Sequence, residues 1–390
     1  MATLTIPKPK DCYMYDYVIV GAGFAGAVSA NLLATHHNKK VLVIEKRVHI
    51  GGNCYDEVDE NGIVVHRYGP HLFHTSSKEV WEYLSRFTEW TPYEHKVLAH
   101  IHGKNVPIPF NFNTIEALFE PTHAKQFIQK LSQHYPQNAK IPILELQKNP
   151  DEDLQQLSNF IYENLFVHYT AKQWGVSPHE IDSAVTARVP ILIGRDDRYF
   201  NDTFQAIPKH GYTKLFEALL YHPNITVELN KDFLTEVCWQ EKRIGFRNDF
   251  TCKIIYTGAV DELFGYCFEA LPYRSTDMVF ETMDQAYFQE AATINYPNDH
   301  DYTRITEFKH IHPNLSPKTT ILKEYPKEHC KEITVPYYPI FNDKNQEQYT
   351  QYMQKAQHFS NLTLIGRLAE YRYYDMDDIV LRALNTVGIA

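Results

Sequence analysis

The chain of 390 residues is 44% hydrophobic and 22% charged, a composition typical of a globular protein with a substantial core. Its formal net charge of −10 argues against general nucleic-acid binding, although a local cluster of arginines could still bind a small anion. No stretch approaches the roughly eighteen apolar residues of a membrane-spanning helix, and residues 1–14 lack the apolar core of a signal peptide. We therefore expect no membrane span, a cytoplasmic location and a short extension before the first strand.

The first predicted elements form a βαβ unit over residues 15–46. "YDYVIV" is typical of a buried strand, "GAGFAGAVSANLLA" of a glycine turn entering an apolar helix, and "KVLVIEK" of a second buried strand. Further along, apolar and polar residues alternate on both sides of the glycine in "KVLAHIHGKNVPIPF". That alternation predicts a β-hairpin outside the βαβ unit.

Between residues 113 and 188 the hydrophobic period becomes helical. One apolar stripe runs from Phe127 to Tyr135 and a second from Leu154 to Leu165. A further helix is predicted to begin at Ser177, because a proline follows it at once and a glutamate stands three residues on.

Segments after about residue 210 are predicted to complete the first domain and to form further strands outside it. "GYTKLFEALL" and "CKIIYTGAV" predict a helix and a strand beside the βαβ unit, and "NLTLIGR" with a helix from Asp377 completes it. Residues 263–349 contain short β-like runs such as "MVFET", "AATINY", "TTILKEY" and "EITVPYYPI". The pattern predicts a discontinuous α/β domain with a helical insert and a β-rich insert.

The glycine turn indicates dinucleotide binding. Gly21, Gly23 and Gly26 form G-x-G-x-x-G between a predicted strand and a predicted helix. The first glycine allows the turn, the second allows close approach to a pyrophosphate, and the third allows close helix–strand packing. Glu45 follows about twenty residues later, where an acid binds ribose hydroxyls and disfavours a 2′-phosphate.

Two further features decide between NAD and FAD. The pair Gly51 and Gly52 fits a second close approach to a dinucleotide, but on its own it fits a plain surface turn equally well. The segment "GRLAEYRYYDMDD", residues 366–378, combines two arginines, three tyrosines and the start of a helix. A helix N-terminus beside a flavin would stabilise electrons that arrive on its ring. This favours FAD.

The fold class is therefore predicted as α/β, with a discontinuous Rossmann-type FAD-binding domain, a helical insert domain and an antiparallel β-sheet domain. The predicted boundaries are 14–92, 211–262 and 350–390 for the FAD-binding domain, 113–187 for the helical domain, and 93–112, 188–210 and 263–349 for the antiparallel sheet substrate domain. The six cysteines show no C-x-x-C pair and no metal-ligand spacing, so we expect reduced thiols and no metal site.

Longer motifs resemble one known family. "VIEKRVHIGGNCYDE", "YGPHLFHT", "YTAKQWG", "GYTKLFEALL", "IIYTGAVD", "YTRITEFKH", "KEYP", "PYYPI" and "GRLAEYRYYDMD" occur in the order seen in bacterial UDP-galactopyranose mutases. The resemblance runs from about Tyr15 onward. It implies the three-domain architecture given above.

The resemblance also implies the chemistry. Members of this family interconvert UDP-galactopyranose and UDP-galactofuranose for cell-surface polysaccharides, with N5 of reduced FAD as the nucleophile on the anomeric carbon. It further implies a homodimer and an external flavin reductant such as NAD(P)H. No nucleic-acid partner and no metal are implied.

Site residues follow from the matched motifs. The resemblance implies catalytic roles for Arg304 and His74, and we add Arg195 as a candidate. The implied FAD-binding residues are Gly21, Gly23, Phe24, Gly26, Glu45, Lys46, Gly52, Asn53, His71, Leu72, Arg367, Tyr374, Asp375, Met376, Asp377 and Ile379. The implied substrate-binding residues are His95, Tyr169, Thr170, Trp174, Leu192, Tyr199, Arg304, Tyr338, Arg367 and Tyr373. Arginine is suited to the diphosphate because its planar fork matches phosphate oxygens.

Two positions depart from the family pattern. The family carries an arginine on a loop where this chain has Leu192, and Arg195 or Arg198 nearby could replace it. Where the family has an asparagine before the hairpin, this chain has His95. Both departures concern the substrate side, which leaves open a mutase for another nucleotide sugar, such as a 6-deoxy, N-acetylated, dTDP- or GDP-linked hexose. A flavin oxidoreductase and a flavin-binding protein without turnover are the remaining alternatives.

Overall fold

The structure is a computed structural model that describes residues 15–175, 190–331 and 333–388. The predicted extension at residues 1–14 and the helix predicted to begin at Ser177 lie outside these residues. The chain divides into two compact units. Unit 1 comprises residues 1–52, 214–271 and 341–390, and unit 2 comprises residues 53–213 and 272–340.

Strands and helices are interspersed along the described residues. The strands are β1 (Tyr17–Val20), β2 (Val41–Ile44), β3 (Asp56–Val58), β4 (Val64–His66), β5 (Phe73–Thr75), β6 (Trp90–Pro92), β7 (Val97–Ile101), β8 (Lys104–Ile108), β9 (Lys140–Ile141), β10 (Ile191–Leu192), β11 (Phe204–Pro208), β12 (Ile225–Glu228), β13 (Val237–Gln240), β14 (Arg243–Phe246), β15 (Lys253–Tyr256), β16 (Tyr273–Met283), β17 (Thr293–Asn295), β18 (Arg304–Glu307), β19 (Thr319–Glu328), β20 (Tyr338–Pro339) and β21 (Leu362–Leu364). The α-helices are α1 (Phe24–Thr35), α2 (Lys78–Leu84), α3 (Phe112–Leu118), α4 (Pro121–His134), α5 (Ile143–Leu146), α6 (Glu152–Ile161), α7 (His168–Trp174), α8 (Tyr212–Leu220), α9 (Val260–Leu263), α10 (Asp343–Ala356) and α11 (Met376–Val387).

Unit 1 is built on a parallel sheet with strand order β12-β2-β1-β15-β21. The central strands are apolar runs buried along almost their whole length, as expected for parallel strands covered on both faces. Helix α1 is buried from Phe24 to Ala34 and packs against α11. The βαβ unit and the returning strands β15 and β21 therefore confirm the predicted Rossmann-type α/β fold.

Unit 2 contains a larger sheet with strand order β20-β16-β19-β18-β17-β7-β8. Its pairs are antiparallel except for β17 with β7. The predicted hairpin is confirmed as β7 and β8, with Val97 opposite Ile108. Among the described residues of the run "EITVPYYPI", only Tyr338–Pro339 form a strand, less than the pattern suggested.

The helices of unit 2 enclose their own apolar core. Phe127 and Leu131 of α4 meet Leu154, Leu157 and other residues of the second predicted stripe in one buried cluster. The N-terminus of α6 is capped, because the side chain of Asp151 accepts hydrogen bonds from the backbone N–H groups of Asp153 and Leu154. A π-helical turn, Tyr162–Val167, joins α6 to α7.

The two units divide the chain differently from the predicted domains. Residues 53–92 were predicted to belong to the FAD-binding domain but lie in unit 2. Their strands pair there, since β3 binds β4 while β5 and β6 both bind β11. The predicted helical and sheet domains fall together in unit 2, and residues 341–349 fall in unit 1 with α10. None of the described helices is long and apolar enough to cross a membrane.

Candidate functional site

At two glycines of the turn between β1 and α1, there is no room for a side chain larger than hydrogen. Gly21 has φ of +105°, and a Cβ there would lie 2.1 Å from Oγ1 of Thr257. A Cβ on Gly26 would lie 1.9 Å from the carbonyl oxygen of Gly21. The turn is therefore as tight as the fingerprint predicts, with the helix N-terminus directly after it. Phe24 opens α1 and is buried, with its ring 4.6 Å from that of Phe216.

The second glycine pair packs against this turn. A Cβ on Gly52, where φ is +57°, would lie 3.0 Å from Cα of Gly23. The backbone N–H of Gly51 donates to the carbonyl of Ala22 over 2.9 Å. "GGN" is therefore part of the glycine turn and not an independent surface turn. Gly23 and Gly52 thus form a backbone surface without side chains, and an added Cβ would fill the space beside it.

Glu45 is fixed against the same turn. Its carboxylate is buried, and it accepts hydrogen bonds from the backbone N–H of Ala22 and of Arg47, both at 2.9 Å. The next residue, Lys46, forms an ion pair with Glu262 at 3.5 Å. The predicted acid thus lies at the carboxyl end of β2, beside the helix N-terminus, where dinucleotide ribose binds in Rossmann-type folds.

The C-terminal motif forms a compact connection between β21 and α11. A Cβ on Gly366 would lie 3.7 Å from Cβ of Ala25, so the end of β21 adjoins the start of α1. Nη2 of Arg367 donates to the carbonyl of Tyr374 over 2.6 Å, and its Cζ lies 5.1 Å from the ring centroid of Tyr373. Helix α11 begins with a capping box between Asp375 and Asp378. Its first turn contains Met376, Asp377 and Ile379.

Three predicted cofactor residues lie in unit 2. Asn53 belongs to a 3₁₀ turn, Gly52–Cys54. His71 donates its backbone N–H to Nδ1 of His66 over 3.0 Å. Leu72 packs against an apolar cluster that includes Ile63. The structure leaves their roles toward FAD as predictions.

A charged pair, of which Glu324 is buried and Arg304 is partly exposed, lies in the centre of the large sheet. Arg304 on β18 is directly opposite Glu324 on β19, with Nε 3.4 Å from Oε2. Among the described residues, neither Nε of Arg304 nor Oε1 of Glu324 has a hydrogen-bond partner. Unused hydrogen-bonding groups of this kind are uncommon in protein interiors and suggest a binding position.

The charges and aromatic rings near Arg304 include half of the predicted substrate residues. We call the group His95, Tyr169, Tyr199, Arg304, Glu324 and Tyr338 the Arg304 cluster. Burial would lower the pKa of the Arg304 guanidinium, but Glu324 and the neighbouring phenols raise it, so the group stays charged. Burial raises the pKa of the Glu324 carboxyl, and Arg304 opposes that rise. The pair offers a permanent cation whose Nε has no hydrogen-bond partner among the described residues, which suits a diphosphate.

Helix α7 contributes two predicted residues. Burial raises the pKa of Tyr169 to about 12, so its phenol is neutral at physiological pH. Thr170 beside it is buried. The guanidinium of Arg274 donates to the carbonyls of Gln173 and Lys172 at the C-terminus of the helix. A cation at this end stabilises the helix that carries Tyr169. Trp174 ends α7, and the prediction for its side chain lies outside the described residues.

Two histidines extend the cluster. Burial, followed by the charges of Arg304 and His74, lowers the pKa of His95 to about 3, so His95 is neutral at pH 7. Its Nδ1 lies 3.2 Å from the hydroxyl of Tyr93. His74 lies on β5 and pairs with Asp202, Nδ1 to Oδ2, over 2.9 Å. His95 can therefore supply a hydrogen bond but no charge.

Leu192 stands where the family has a loop arginine, and Arg195 and Arg198 are the possible replacements; none of the three belongs to the Arg304 cluster. Leu192 is buried, and its backbone N–H donates to Phe110. Arg195 makes a bidentate ion pair with Glu116 at 2.6 and 2.7 Å and is half exposed. Arg198 pairs with Asp196 at 2.7 Å. This geometry favours a core position for Leu192 and gives both arginines a partner within the protein.

Tyr199 is the predicted residue of this segment that joins the Arg304 cluster. Its backbone N–H donates to the carbonyl of His95 over 2.8 Å, and its ring is exposed. Two residues were missed from the sequence, Glu324 and Asp202. Glu324 belongs to the quoted motif "KEYP", and its place opposite Arg304 depends on a strand register that no local pattern reveals. Asp202 had no signal at all.

A buried histidine pair supports the backbone of His71 and gives a testable pH dependence. Because Nδ1 of His66 accepts the His71 N–H, the hydrogen of neutral His66 must be on Nε2, which lies 2.9 Å from Nε2 of His312. Burial lowers the pKa of both histidines below the ordinary value. Both are therefore neutral in the folded protein, whereas the unfolded chain takes up protons near pH 6.5.

We expect these two histidines to leave the free energy of unfolding independent of pH above about 6.5 and to lower it as the pH falls below that value, by at most about 1.4 kcal/mol per pH unit for each histidine. The substitution His312→Asn should make this pH dependence less steep, by up to one proton, because the amide oxygen keeps an acceptor for His66 without titrating. Urea unfolding at several pH values would measure it. His123→Asn, at an exposed histidine, is the control and should leave the slope unchanged. An unaltered slope in His312→Asn would contradict the expectation.

A parallel sheet with its glycine turn and buried acid defines a Rossmann-type dinucleotide-binding protein, and comparison with known proteins agrees. The profile of the NAD(P)-binding Rossmann-like domain matches residues 19–87, and that of UDP-galactopyranose mutase matches residues 164–373. The chain belongs to the UDP-galactopyranose mutase family and is an isomerase of the mutase type. The resemblance seen in the motifs is thereby confirmed.

Individual relatives cover nearly the whole chain. The UDP-galactopyranose mutase of Mycoplasma genitalium is 36% identical over 97% of this chain and 95% of that protein. The dTDP-fucopyranose mutase of Escherichia coli is 36% identical over 95% of this chain and 97% of that protein. A crystal structure of reduced UDP-galactopyranose mutase has the same fold, with a TM-score of 0.69, 18% identity, and coverage of 97% of this chain and 94% of that one.

Proposed function

We propose that the protein interconverts the pyranose and furanose forms of a nucleotide-linked hexose, in the first instance UDP-galactopyranose and UDP-galactofuranose. The observation that carries the proposal is the Arg304 cluster, in which a charged guanidinium has three tyrosines beside it and its buried Nε has no hydrogen-bond partner among the described residues. Diphosphate is the leaving group in such a reaction, and a preorganised guanidinium stabilises the charge that develops on it. Family membership supplies the class of reaction.

We propose FAD as the cofactor, active in its reduced form. The bare backbone where Gly23 and Gly52 meet fits a pyrophosphate, since any Cβ there would fill the space, and Glu45 suits the ribose hydroxyls. Phe24, Lys46, Asn53, His71, Leu72 and the segment from Arg367 to Ile379 are the other proposed contacts. When bound, reduced FAD supplies N5 as the nucleophile for the anomeric carbon.

The side chains of the chain itself then have defined tasks. Arg304 binds the diphosphate and stays paired with it as the glycosidic bond breaks. We assign Tyr169 to stacking on the base, and Tyr338 and Tyr199 to hydroxyl hydrogen bonds with the diphosphate, because all three phenols adjoin Arg304. Tyr373, whose ring lies beside the Arg367 guanidinium, and Thr170 are weaker candidates for the same ligand.

A second candidate substrate is supported by a specific relative. The 36% identical protein of Escherichia coli is named dTDP-fucopyranose mutase, so the family also accepts a 6-deoxy sugar on another nucleotide. His95, which departs from the family pattern, belongs to the Arg304 cluster, whereas Leu192, the other departure, is buried in the core. A dTDP-linked 6-deoxyhexose is therefore the alternative that we would test beside UDP-galactose.

The test is interconversion by the purified holoenzyme. The flavin would be reduced with dithionite, and separately with NADH or NADPH, and incubated with the pyranose and furanose forms of UDP-galactose and dTDP-fucose. We expect conversion only when the flavin is reduced. Conversion by the oxidised enzyme at the same rate would contradict the proposed cofactor state. Conversion of neither sugar would favour a flavin-binding protein without turnover, and consumption of oxygen with an amine would favour an oxidase.

Assembly and location belong to the same proposal. We propose a homodimer in the cytoplasm with NAD(P)H as the reductant, as the family resemblance implies. Sedimentation of the holoenzyme would measure the mass, and a value near 45.6 kDa, that of one chain, would overturn the dimer.

A further inference from the structure

Asp202 lies between two side chains of β5 and the following turn. Its Oδ2 is 2.9 Å from Nδ1 of His74, and its Oδ1 accepts the hydroxyl hydrogen of Ser76 over 2.9 Å. Strands β5 and β11 hold this arrangement in register, with Gln205 opposite His74 and Phe204 opposite Thr75. Both carboxylate oxygens of Asp202 are thus in use within the protein.

One face of the His74 ring also packs against an aromatic side chain. It stacks on Phe200 with ring centroids 3.7 Å apart and planes inclined by 17°. The amide of Gln205 donates to the carbonyls of Phe200 and Asp202, both at 3.1 Å, so the loop that holds ring and carboxylate is itself tied to β11. His74 therefore has one edge on a carboxylate and one face on an aromatic ring.

This arrangement lies beside the Arg304 cluster. The ring of Phe200 is 6.1 Å from that of His95 and 5.1 Å from that of Tyr199. His95 is neutral and has its Nδ1 at the hydroxyl of Tyr93. His74 is therefore the histidine near the cluster whose two ring nitrogens are made distinct by a carboxylate.

A carboxylate accepts hydrogen bonds but cannot donate one when ionised, so the nitrogen that faces it must carry the hydrogen. We propose that Asp202 is a positioning residue that fixes His74 in the Nδ1–H tautomer, so that Nε2 accepts a hydrogen bond from a hydroxyl of the sugar. The inference rests on the proposed function, because it needs a sugar bound beside Arg304. Ring orientation by a carboxylate acts in the same way on histidine ligands of metals, where loss of the partner costs about 10- to 100-fold.

A merely structural role for Asp202 makes a different prediction. If the carboxylate served only to join the loop to Ser76, then Ser76→Ala would impair the enzyme as much as Asp202→Ala, and the tautomer of His74 would not matter. In our proposal Ser76 is dispensable. Asp202→Asn should retain part of the function, because the amide oxygen can still accept the hydrogen of Nδ1.

The experiment uses holoenzyme labelled with ¹⁵N-histidine, with the signal of His74 assigned from a His74→Gln variant. Two-bond proton–nitrogen spectra report the tautomer without any turnover. We expect Nδ1–H in the unmodified protein, in Ser76→Ala and in Asp202→Asn, and a loss of that tautomer in Asp202→Ala. We expect kcat/KM to fall about 10- to 100-fold in Asp202→Ala and less than about 3-fold in Ser76→Ala. Melting temperatures would show that each variant is folded.

Each outcome decides one point. An Nε2–H tautomer in the unmodified protein would overturn the proposal, as would an unchanged tautomer or an unchanged kcat/KM in Asp202→Ala. If the unmodified holoenzyme converts no sugar, the proposed function fails and the hydroxyl contact of Nε2 fails with it. The spectrum then still decides whether Asp202 sets the tautomer.

Discussion

Arg304→Ala is expected to lower kcat/KM for the nucleotide sugar by about 10²- to 10³-fold, the usual effect of removing one preorganised donor from a developing charge. Glu324 is buried opposite Arg304, whose side chain is 26% exposed, and the Nε atom of Arg304 has no hydrogen-bond partner among the described residues. Lysine should not rescue the variant, because an ammonium lacks the fork that matches two phosphate oxygens. Steady-state kinetics of the reduced enzyme would measure the effect, with separate values for KM and kcat.

Loss of Arg304 alone would leave the Glu324 carboxylate buried without its partner, which destabilises a protein in its own right. The double variant Arg304→Ala with Glu324→Gln removes that charge and should regain stability while activity stays low. Arg67→Ala is the matched control, since Arg67 lies in the same unit but is half exposed and pairs with Glu57 at 3.4 Å. A double variant with restored activity, or a loss in Arg304→Ala no larger than in Arg67→Ala, would contradict a role at the diphosphate.

Gly26→Ala and Gly23→Ala should have large and different effects. A Cβ on Gly26 would lie 1.9 Å from the carbonyl oxygen of Gly21, so we expect α1 to be displaced and the apoprotein to lose about 3 kcal/mol or more of its unfolding free energy. A Cβ on Gly23 would make only ordinary contact, 3.7 Å from Cα of Gly52, and the backbone there suits alanine. We expect the Gly23→Ala apoprotein to lose about 1 kcal/mol at most.

The affinity for FAD should also distinguish the two variants. Gly23→Ala should weaken it by about 10-fold or more, because the added methyl group stands where the pyrophosphate approaches the backbone. Urea unfolding of the apoproteins and titration of each with FAD would measure both quantities. A Gly23→Ala protein that is as stable as the unmodified protein and binds FAD equally well would refute this placement of the cofactor.

Local patterns predicted the elements that depend on neighbours in sequence. The period of the apolar residues indicated α1, α4 and α6, and the alternation around Gly103 indicated the β7–β8 hairpin, because side-chain spacing follows directly from helix and strand geometry. The glycine spacing likewise predicted the tight turn at Gly21. In these cases the physical cause is contained within about fifteen residues.

Long-range pairing was not predictable in this way. Residues 53–92 join unit 2 because β5 pairs with β11, some 130 residues later, and no periodicity specifies such a partner. The same reason concealed Glu324, Asp202 and the ion pair of Arg195 with Glu116, each of which depends on strands or loops that are distant in sequence. The roles of the site residues toward FAD and sugar stay predictions.

The three-segment construction of unit 1 constrains how the protein can be made on the ribosome. Helix α1 is buried on all sides in the folded protein, yet α11, which packs against it, is synthesised about 340 residues later. At a translation rate of about 5–20 residues per second, the largely apolar helix α1 therefore stays without its packing partner α11 for tens of seconds. During that interval α1 and the unpaired edge of β1 are a target for chaperones and for aggregation, so expression of shortened chains should fail first at this unit.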